Sequence, residues 1–251
     1  MGTRRIRAVT FDLWNTLIVD THEGGRARST RRIEATRAVL EEAGRSFSKA
    51  RIEKAYRMSQ ERFEEIRGEG LDMPFPDQVD LYLDLVEEGL AEGLDPSVKR
   101  RIAAEHADAF FVDPPALMPG ALEVLKTLKT RGCKLGLICN SGATPGSHQR
   151  RFLADIGLAR YLEVLTFSDE ERLAKPSPNI FKTTLEGLDV PAEAAVHIGD
   201  RPETDVLGAK GVGMRAVLIG RASCDGIPVA PDARIEQLAE LLEVLERISR
   251  S

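Results

Sequence analysis

Four charged side chains set the terms for this sequence: Asp12, Asp200, Asp205 and Lys175. Asp12 and Asp200 each close an apolar run, Asp205 follows five residues after the second of them, and Lys175 stands alone before Pro176 and Pro178. In an open parallel sheet the ligand crevice lies just beyond the carboxyl ends of the strands, so acids at two such ends face one cleft. Carboxylates gathered there repel one another unless something positive sits among them. A hard divalent cation suits these oxygen ligands, and magnesium binds through one or two carboxylates, waters and substrate phosphate oxygens. Asp12 and Asp200 are the chosen ligands. Lys175, a compact ammonium, can hold a nucleophile and a phosphate in register by charge.

The delivering stretches come in a fixed order. Residues 9–18 end a strand on Asp12 and continue through Trp14, Asn15 and Thr16; residues 135–141 end a second apolar run on Cys139, Asn140 and Ser141; residues 174–178 carry Lys175; residues 195–205 end a third run on Asp200 and reach Asp205. Together they resemble the haloacid dehalogenase superfamily of hydrolases, in its phosphatase-like form with a helical cap. The resemblance implies a Mg²⁺-dependent phosphatase for a small phosphorylated metabolite, with Asp12 attacking phosphorus to form an aspartyl-phosphate that water hydrolyses. It further implies that the backbone carbonyl of Trp14 is a third metal ligand, and that Asp205 supports the metal or ligates it directly. Cys139, Asn140 and Ser141 are the expected hydrogen-bond donors to phosphate oxygens, with Trp14 beside them as a substrate contact.

The sequence departs from that pattern at one chemically serious place. Family phosphatases usually carry a second Asp two positions after the nucleophile to protonate the leaving oxygen, and here that position is Trp14. Indole moves no proton near neutral pH, and acid–base help is typically worth about 10²- to 10⁴-fold. Three readings accommodate this: a substrate whose leaving group needs no proton, a 2-haloacid dehalogenase, or a site that only binds or regulates. Asp200 speaks against the dehalogenase, because metal-free dehalogenases generally carry an uncharged residue there. Cys139 stands where Ser or Thr is usual, and Asn15 where Gly is common; Asn tolerates left-handed backbone better than most residues.

The elements that must position these groups follow from periodicity. Residues 6–13 read as the first strand. From 20 to 113 the apolar spacing is helical, over 28–42, 48–67, 77–92 and 96–111, punctuated by Gly and Pro. Strands at 134–139, 162–167, 194–198 and 214–219 then alternate with helices at 121–129, 147–156, 179–186 and 204–210, and a last helix is expected at 235–248. Such alternation means right-handed parallel crossovers. The expected fold class is therefore α/β: a Rossmann-like parallel sheet core with helices on both faces, formed by residues 1–19 and 114–251, with an inserted all-helical cap domain at 20–113.

Composition narrows the partners. A net charge of -5 argues against nonspecific nucleic-acid or anionic-membrane binding. Three cysteines without CxxC spacing point to reduced thiols and a cytoplasmic protein. The basic start at residues 1–5 runs into a strand rather than a signal peptide, and no apolar run reaches membrane-spanning length. The four histidines lack metal-ligand spacing; His197, inside an apolar strand, reads as a satisfied core residue. Ser147 and His148 have no third member visible in the sequence for a serine-hydrolase triad. Residues 142–147 lack the ending of a phosphate loop and read as a link. Oligomeric state is not legible.

Overall fold

The computed structural model describes residues 5–250; residues 1–4, most of the basic start, and residue 251 lie outside the described residues. In chain order the strands are β1 (Ala8–Phe11), β2 (Ile18–Val19), β3 (Ala116–Leu117), β4 (Lys134–Cys139), β5 (Val164–Phe167), β6 (Ala195–Gly199), β7 (Arg215–Ile219) and β8 (Ala233–Ile235). The helices are α1 (His22–Glu42), α2 (Lys49–Gly68), α3 (Phe75–Val86), α4 (Leu90–Gly93), α5 (Pro96–Asp108), α6 (Ala121–Thr130), α7 (Gly146–Asp155), α8 (Ser168–Glu171), α9 (Pro178–Leu188), α10 (Leu207–Gly211) and α11 (Leu241–Arg250).

Six strands form one parallel sheet in the order β5, β4, β1, β6, β7, β8. Both its faces are buried, and period-2 alternation divides its side chains between two apolar layers. Val9, Phe11, Leu135, Leu137, Val196, Ile198, Val217 and Ile219 join one layer, covered by Leu125 of α6, Leu153 of α7 and Leu241 of α11. Ala8, Ile138, Ala195, Ala216 and Leu218 join the other, under Ile180, Phe181 and Leu185 of α9 and Ala209 of α10. This is why the strands read as nearly continuous apolar runs. β1 sits mid-sheet, between β4 and β6, so its carboxyl end is where the direction of winding reverses, the position at which α/β sheets bind ligands.

Helices α1 to α5 interrupt the sheet between β2 and β3, which pair antiparallel, Ile18 with Leu117 and Val19 with Ala116. The exit and re-entry of the chain are thereby zipped together. The insert has its own apolar centre, with Leu40, Ile52, Leu83, Leu90 and Ile102 all buried. It also reaches the core by backbone: the Asp72 N–H donates to the Arg172 carbonyl at 3.2 Å, and the Ala174 N–H to the Gly70 carbonyl at 3.0 Å. That contact lies one residue before Lys175.

The structure corrects several element boundaries. The helix expected at 235–248 starts only at Leu241, because Ile235 pairs with Ile219 in β8 and Gln237 and Glu240 form a capping box after it. Ile235 satisfies a strand pattern and a helical stripe equally well, and the sheet wins. The helix expected at 77–92 breaks after Val86, where Gly89 adopts φ of 73°. The first insert helix begins at His22, earlier than Gly24 and Gly25 suggest, because Thr21 caps it by accepting from the Gly24 N–H at 2.9 Å. The helix expected at 204–210 is a π-helical turn, Pro202–Val206, followed by the short α10. β2, β3, β8 and α8 are too short to register as periodicity.

His106, in α5, is buried in the insert, with Nε2 2.7 Å from the Thr36 hydroxyl. Burial, aided by the neighbouring Arg32 charge, drops its pKa from 6.5 to about 3. The folded protein thus keeps it neutral while the unfolded chain protonates it, so stability is lost as pH falls below 6.5, by roughly 1.4 kcal/mol per pH unit once well below it. Melting temperature should therefore drop less between pH 7 and pH 5 in His106→Gln than in the wild type, whatever the offset between them. Equal drops would show that this imidazole does not set the acid sensitivity.

Candidate active site

Each candidate side chain is delivered by an element end. Asp12 follows β1, Asn140 follows β4 and Asp200 follows β6, three adjacent strands of the sheet. Asp205 comes from the π-helical turn after β6. The wider loop of that turn folds the Asp205 side chain back over Gly199, where any Cβ would overlap its carboxylate. Glycine at 199 is a steric requirement.

The structure brings Asp12, Lys175, Asp200 and Asp205 together. One carboxylate oxygen from each of Asp12, Asp200 and Asp205 lies within 4.8 Å of the others, a donor group that could hold a metal ion. The Lys175 ammonium donates to Asp12 Oδ1 at 2.5 Å and to Asp205 Oδ1 at 2.7 Å, all three groups being buried. Asp200 is more open and accepts from the Asn15 amide at 3.2 Å. Asn15 itself adopts φ of 57°, the left-handed conformation that turns its side chain to this task.

The electrostatics follow from that packing. Burial pushes the Asp12 carboxyl up to about 7, against the Lys175 charge and with a further push from Asp205 and Asp200. Burial would raise Asp205 too, but Lys175 and the His197 hydrogen bond hold it well below the usual carboxylate range. Burial opposes the charged Lys175, yet Asp12 and Asp205 raise its pKa above the ordinary value. Burial and Asp205 raise Asp200. A cation among these acids relieves the repulsion that lifts Asp12 and Asp200.

His197 is satisfied, and it also touches the site. Its Nδ1 lies 2.9 Å from the Thr10 hydroxyl and its Nε2 3.1 Å from Asp205 Oδ1. Burial keeps the ring neutral, so with the Thr10 O–H donating to Nδ1, Nε2–H donates to Asp205. The Arg201 N–H donates to Asp205 Oδ2 at 3.0 Å. Both oxygens of Asp205 are therefore already engaged.

The residues after β4 are placed differently from expectation. The Cys139 thiol is buried and donates to Gln149 Oε1 at 3.3 Å, and burial, then the Asp12 charge, pushes its pKa well up. It is no nucleophile. The Asn140 amide is spent on Lys175: Oδ1 accepts from the Lys175 N–H at 2.8 Å and Nδ2 donates to the Lys175 carbonyl at 3.1 Å. Asn140 thus fixes the lysine backbone. Ser141 donates its hydroxyl to Asp169 and its N–H to the Ser168 hydroxyl at 2.8 Å. In the loop that follows, the N–H groups of Gly142, Ala143 and Thr144 have no hydrogen-bond partner among the described residues, and these residues border the cavity. Backbone amides at such a turn form an anion-binding concavity. The stretch read as a mere link is thus the better candidate phosphate cradle.

The cavity encloses about 380 Å³ and reaches from the acids to the insert, where Arg28, Arg32, Tyr56 and Arg67 line it. Trp14 lines it as well, its ring edge-on to Phe110 at 6.1 Å and under the Arg28 guanidinium at 5.9 Å. No sequence pattern marks these insert residues, since arginines spaced along helices read as solvated faces. Asp169 had a usable signal, standing just past the carboxyl end of β5. Ser147 and His148 do acquire a third partner, Asp108 at 3.3 Å from His148 Nε2, but the trio is largely exposed and lies outside the cavity.

A parallel α/β sheet with acids and a lysine at its carboxyl edge under a helical insert defines a class of hydrolases, and comparison with known proteins specifies it. The family model for haloacid dehalogenase-like hydrolases matches residues 6–213, and the chain belongs to that family. It is 30% identical to a glyceraldehyde 3-phosphate phosphatase of Pyrococcus furiosus, over 97% of this chain and 95% of that one. It is 36% identical to a phosphoserine phosphatase of Thermus thermophilus over 55% of this chain and 56% of the relative. Among solved structures, a 2-haloacid dehalogenase of Pseudomonas syringae superposes with a TM-score of 0.68 at 27% identity, covering 96% of this chain and 99% of that one. No helix among the described residues is long and apolar enough to cross a membrane.

The acid cluster generates a direct test. A divalent cation at about 100 times its dissociation constant should stabilise the wild type by roughly 2.7 kcal/mol, read as a higher melting temperature. Asp200→Asn should lose most of that rise. An equal rise in both proteins would place the ion elsewhere.

Proposed function

We propose that this chain is a Mg²⁺-dependent phosphatase for small phosphorylated metabolites, acting through an aspartyl-phosphate on Asp12. The observation that carries the reading is the buried Lys175 ammonium bridging Asp12 and Asp205 beside Asp200. The donor set is all oxygen, which fits a hard cation, and Asp12 and Asp200 with the Trp14 backbone carbonyl would hold it. Bound there, it would supply charge neutralisation and Lewis acidity at phosphoryl oxygens. Asp205, with both oxygens engaged, holds Lys175.

The chain's own residues then have separate tasks. An Asp12 carboxylate oxygen attacks phosphorus, and the bond from phosphorus to the leaving oxygen breaks with its electron pair on that oxygen. Lys175 keeps Asp12 oriented and offsets charge on the transferring group, while the amides of residues 142–144 receive its other oxygens. Water next attacks the same phosphorus, releasing phosphate and restoring the carboxylate. The relatives named as phosphatases, one of them matched along nearly the whole chain, support this reading. The structural likeness to a dehalogenase is compatible with it, because a metal-free halide displacement has no use for the extra acids around Asp12.

Trp14 shapes the substrate range. Of the carboxylates facing the cavity beyond the metal cluster, Asp20 is tied to Arg28 and the Thr21 N–H, and Glu64 to Arg67. Neither is free to protonate a leaving group, so esters with good leaving groups are favoured.

With p-nitrophenyl phosphate, turnover should require Mg²⁺, fall to background in EDTA and vanish in Asp12→Asn. Metal-independent turnover would contradict the mechanism. Trp14→Asp should raise kcat for alkyl phosphates by at least about 10-fold while changing aryl phosphates little; an equal change in both would show that the missing acid is not what limits the enzyme.

A further inference from the structure

Four arginines line the cavity, and three of them have carboxylate partners: Arg28 pairs with Asp20, Arg67 with Asp72 and Glu64, and Arg201 with Glu203. Arg32 has none among the described residues, although it is only 4% exposed. Its Nε donates to the His106 carbonyl at 3.0 Å, Nη1 to the Tyr56 hydroxyl at 3.3 Å and Nη2 to the Thr144 hydroxyl at 2.9 Å, and His106 beside it is neutral. Hydrogen bonds to neutral oxygens orient a guanidinium but do not neutralise it, and a buried unpaired charge is costly.

Guanidinium has five N–H groups, so one on Nη1 and one on Nη2 remain without a partner. That leaves a fork of the kind that takes a carboxylate in two parallel bonds. Tyr56 accepts from Arg32 and keeps its own proton to donate. Resting on the phosphatase reading, we propose that Arg32 and Tyr56 form a subsite for a carboxylate on the substrate, so that among small phosphomonoesters of equal leaving group those bearing a carboxylate a few carbons from the phosphate are preferred. The same cavity holds both ends: the phosphate beside Asp12 and Lys175 at the sheet edge, the carboxylate against the insert. Arg32 also bonds Thr144, next to the candidate phosphate amides, so the two subsites share one loop.

The test uses matched esters differing only in a carboxylate against a hydroxymethyl group, phosphoglycolate with 2-hydroxyethyl phosphate and 3-phosphoglycerate with glycerol 1-phosphate. The wild type should favour the acid by about 10- to 100-fold in kcat/KM, as expected for hydrogen bonds to a charged group. Arg32→Gln should bring the ratio to within about 3-fold, and Tyr56→Phe, which keeps the ring, should lower it about 3- to 10-fold. A wild type without preference, or an Arg32→Gln variant that slows both esters equally, overturns the subsite and leaves the phosphatase reading intact. Should no ester release phosphate, that reading fails separately. Calorimetric titration of phosphonoacetate against ethylphosphonate then decides: tighter phosphonoacetate binding that Arg32→Gln abolishes supports the carboxylate subsite, and equal binding refutes it.

Discussion

The active edge of this protein depends on one buried ammonium shared by two carboxylates. Lys175 is held between Asp12 and Asp205 with almost no access to water. Taking three charges out of water is expensive, and the arrangement persists only because the surrounding bonds fix every partner. Asn140 grips the lysine backbone at both its N–H and its carbonyl, the insert bonds the preceding residue, Thr10 and His197 orient Asp205 from below, and Gly199 leaves the space that carboxylate needs. Three of these supports come from strands of the sheet or their ends and one from the helical insert. Disturbing the insert therefore reaches the catalytic edge through the backbone, without any change at the acids.

The same logic separates residues that meet the substrate from residues that hold others in place. Asn140, Ser141 and Asp205 are the kind of polar groups that usually face a phosphate, yet their hydrogen bonds are directed into the protein. Asp169, which takes the Ser141 hydroxyl and the Gly146 N–H at the start of α7, joins two pieces of the loop that borders the cavity. A loop held in this way offers its backbone amides in a fixed arrangement, and fixed donors need no reorganisation as charge develops. Trp14 fits the picture as a wall of the cavity: edge-on to Phe110 and under the Arg28 guanidinium, it fills the position where a second acid would otherwise stand.

What could be read in the sequence was what repeats or what ends a strand. The alternation of apolar strands with helices required a parallel sheet, and the acids at 12 and 200 declared themselves by closing apolar runs. Lys175 stood out ahead of two prolines. The rest was hidden for identifiable reasons. Hydrogen-bond direction is not encoded in residue type, so Asn140 looked like a phosphate donor although it is a clamp. Arg32 is indistinguishable in the sequence from its neighbour Arg31, which is exposed and pairs with Glu105. Only the packing of α1 against α5 and the loop at 144 buries one and leaves the other in water. Short elements such as β8 are settled by pairing with a distant strand, a long-range contact that local periodicity does not contain.

The most direct measurement of the central claim is chemical trapping of the phosphorylated nucleophile. Enzyme mixed with Mg²⁺ and a turned-over phosphoester is quenched in acid during steady state, reduced with borohydride and mapped by mass spectrometry. An aspartyl-phosphate at residue 12 is reduced to homoserine, and the account predicts homoserine at that position and at no other acid. Steady release of phosphate from a protein whose residue 12 stays aspartate, or homoserine at Asp200 or Asp205 instead, would contradict it.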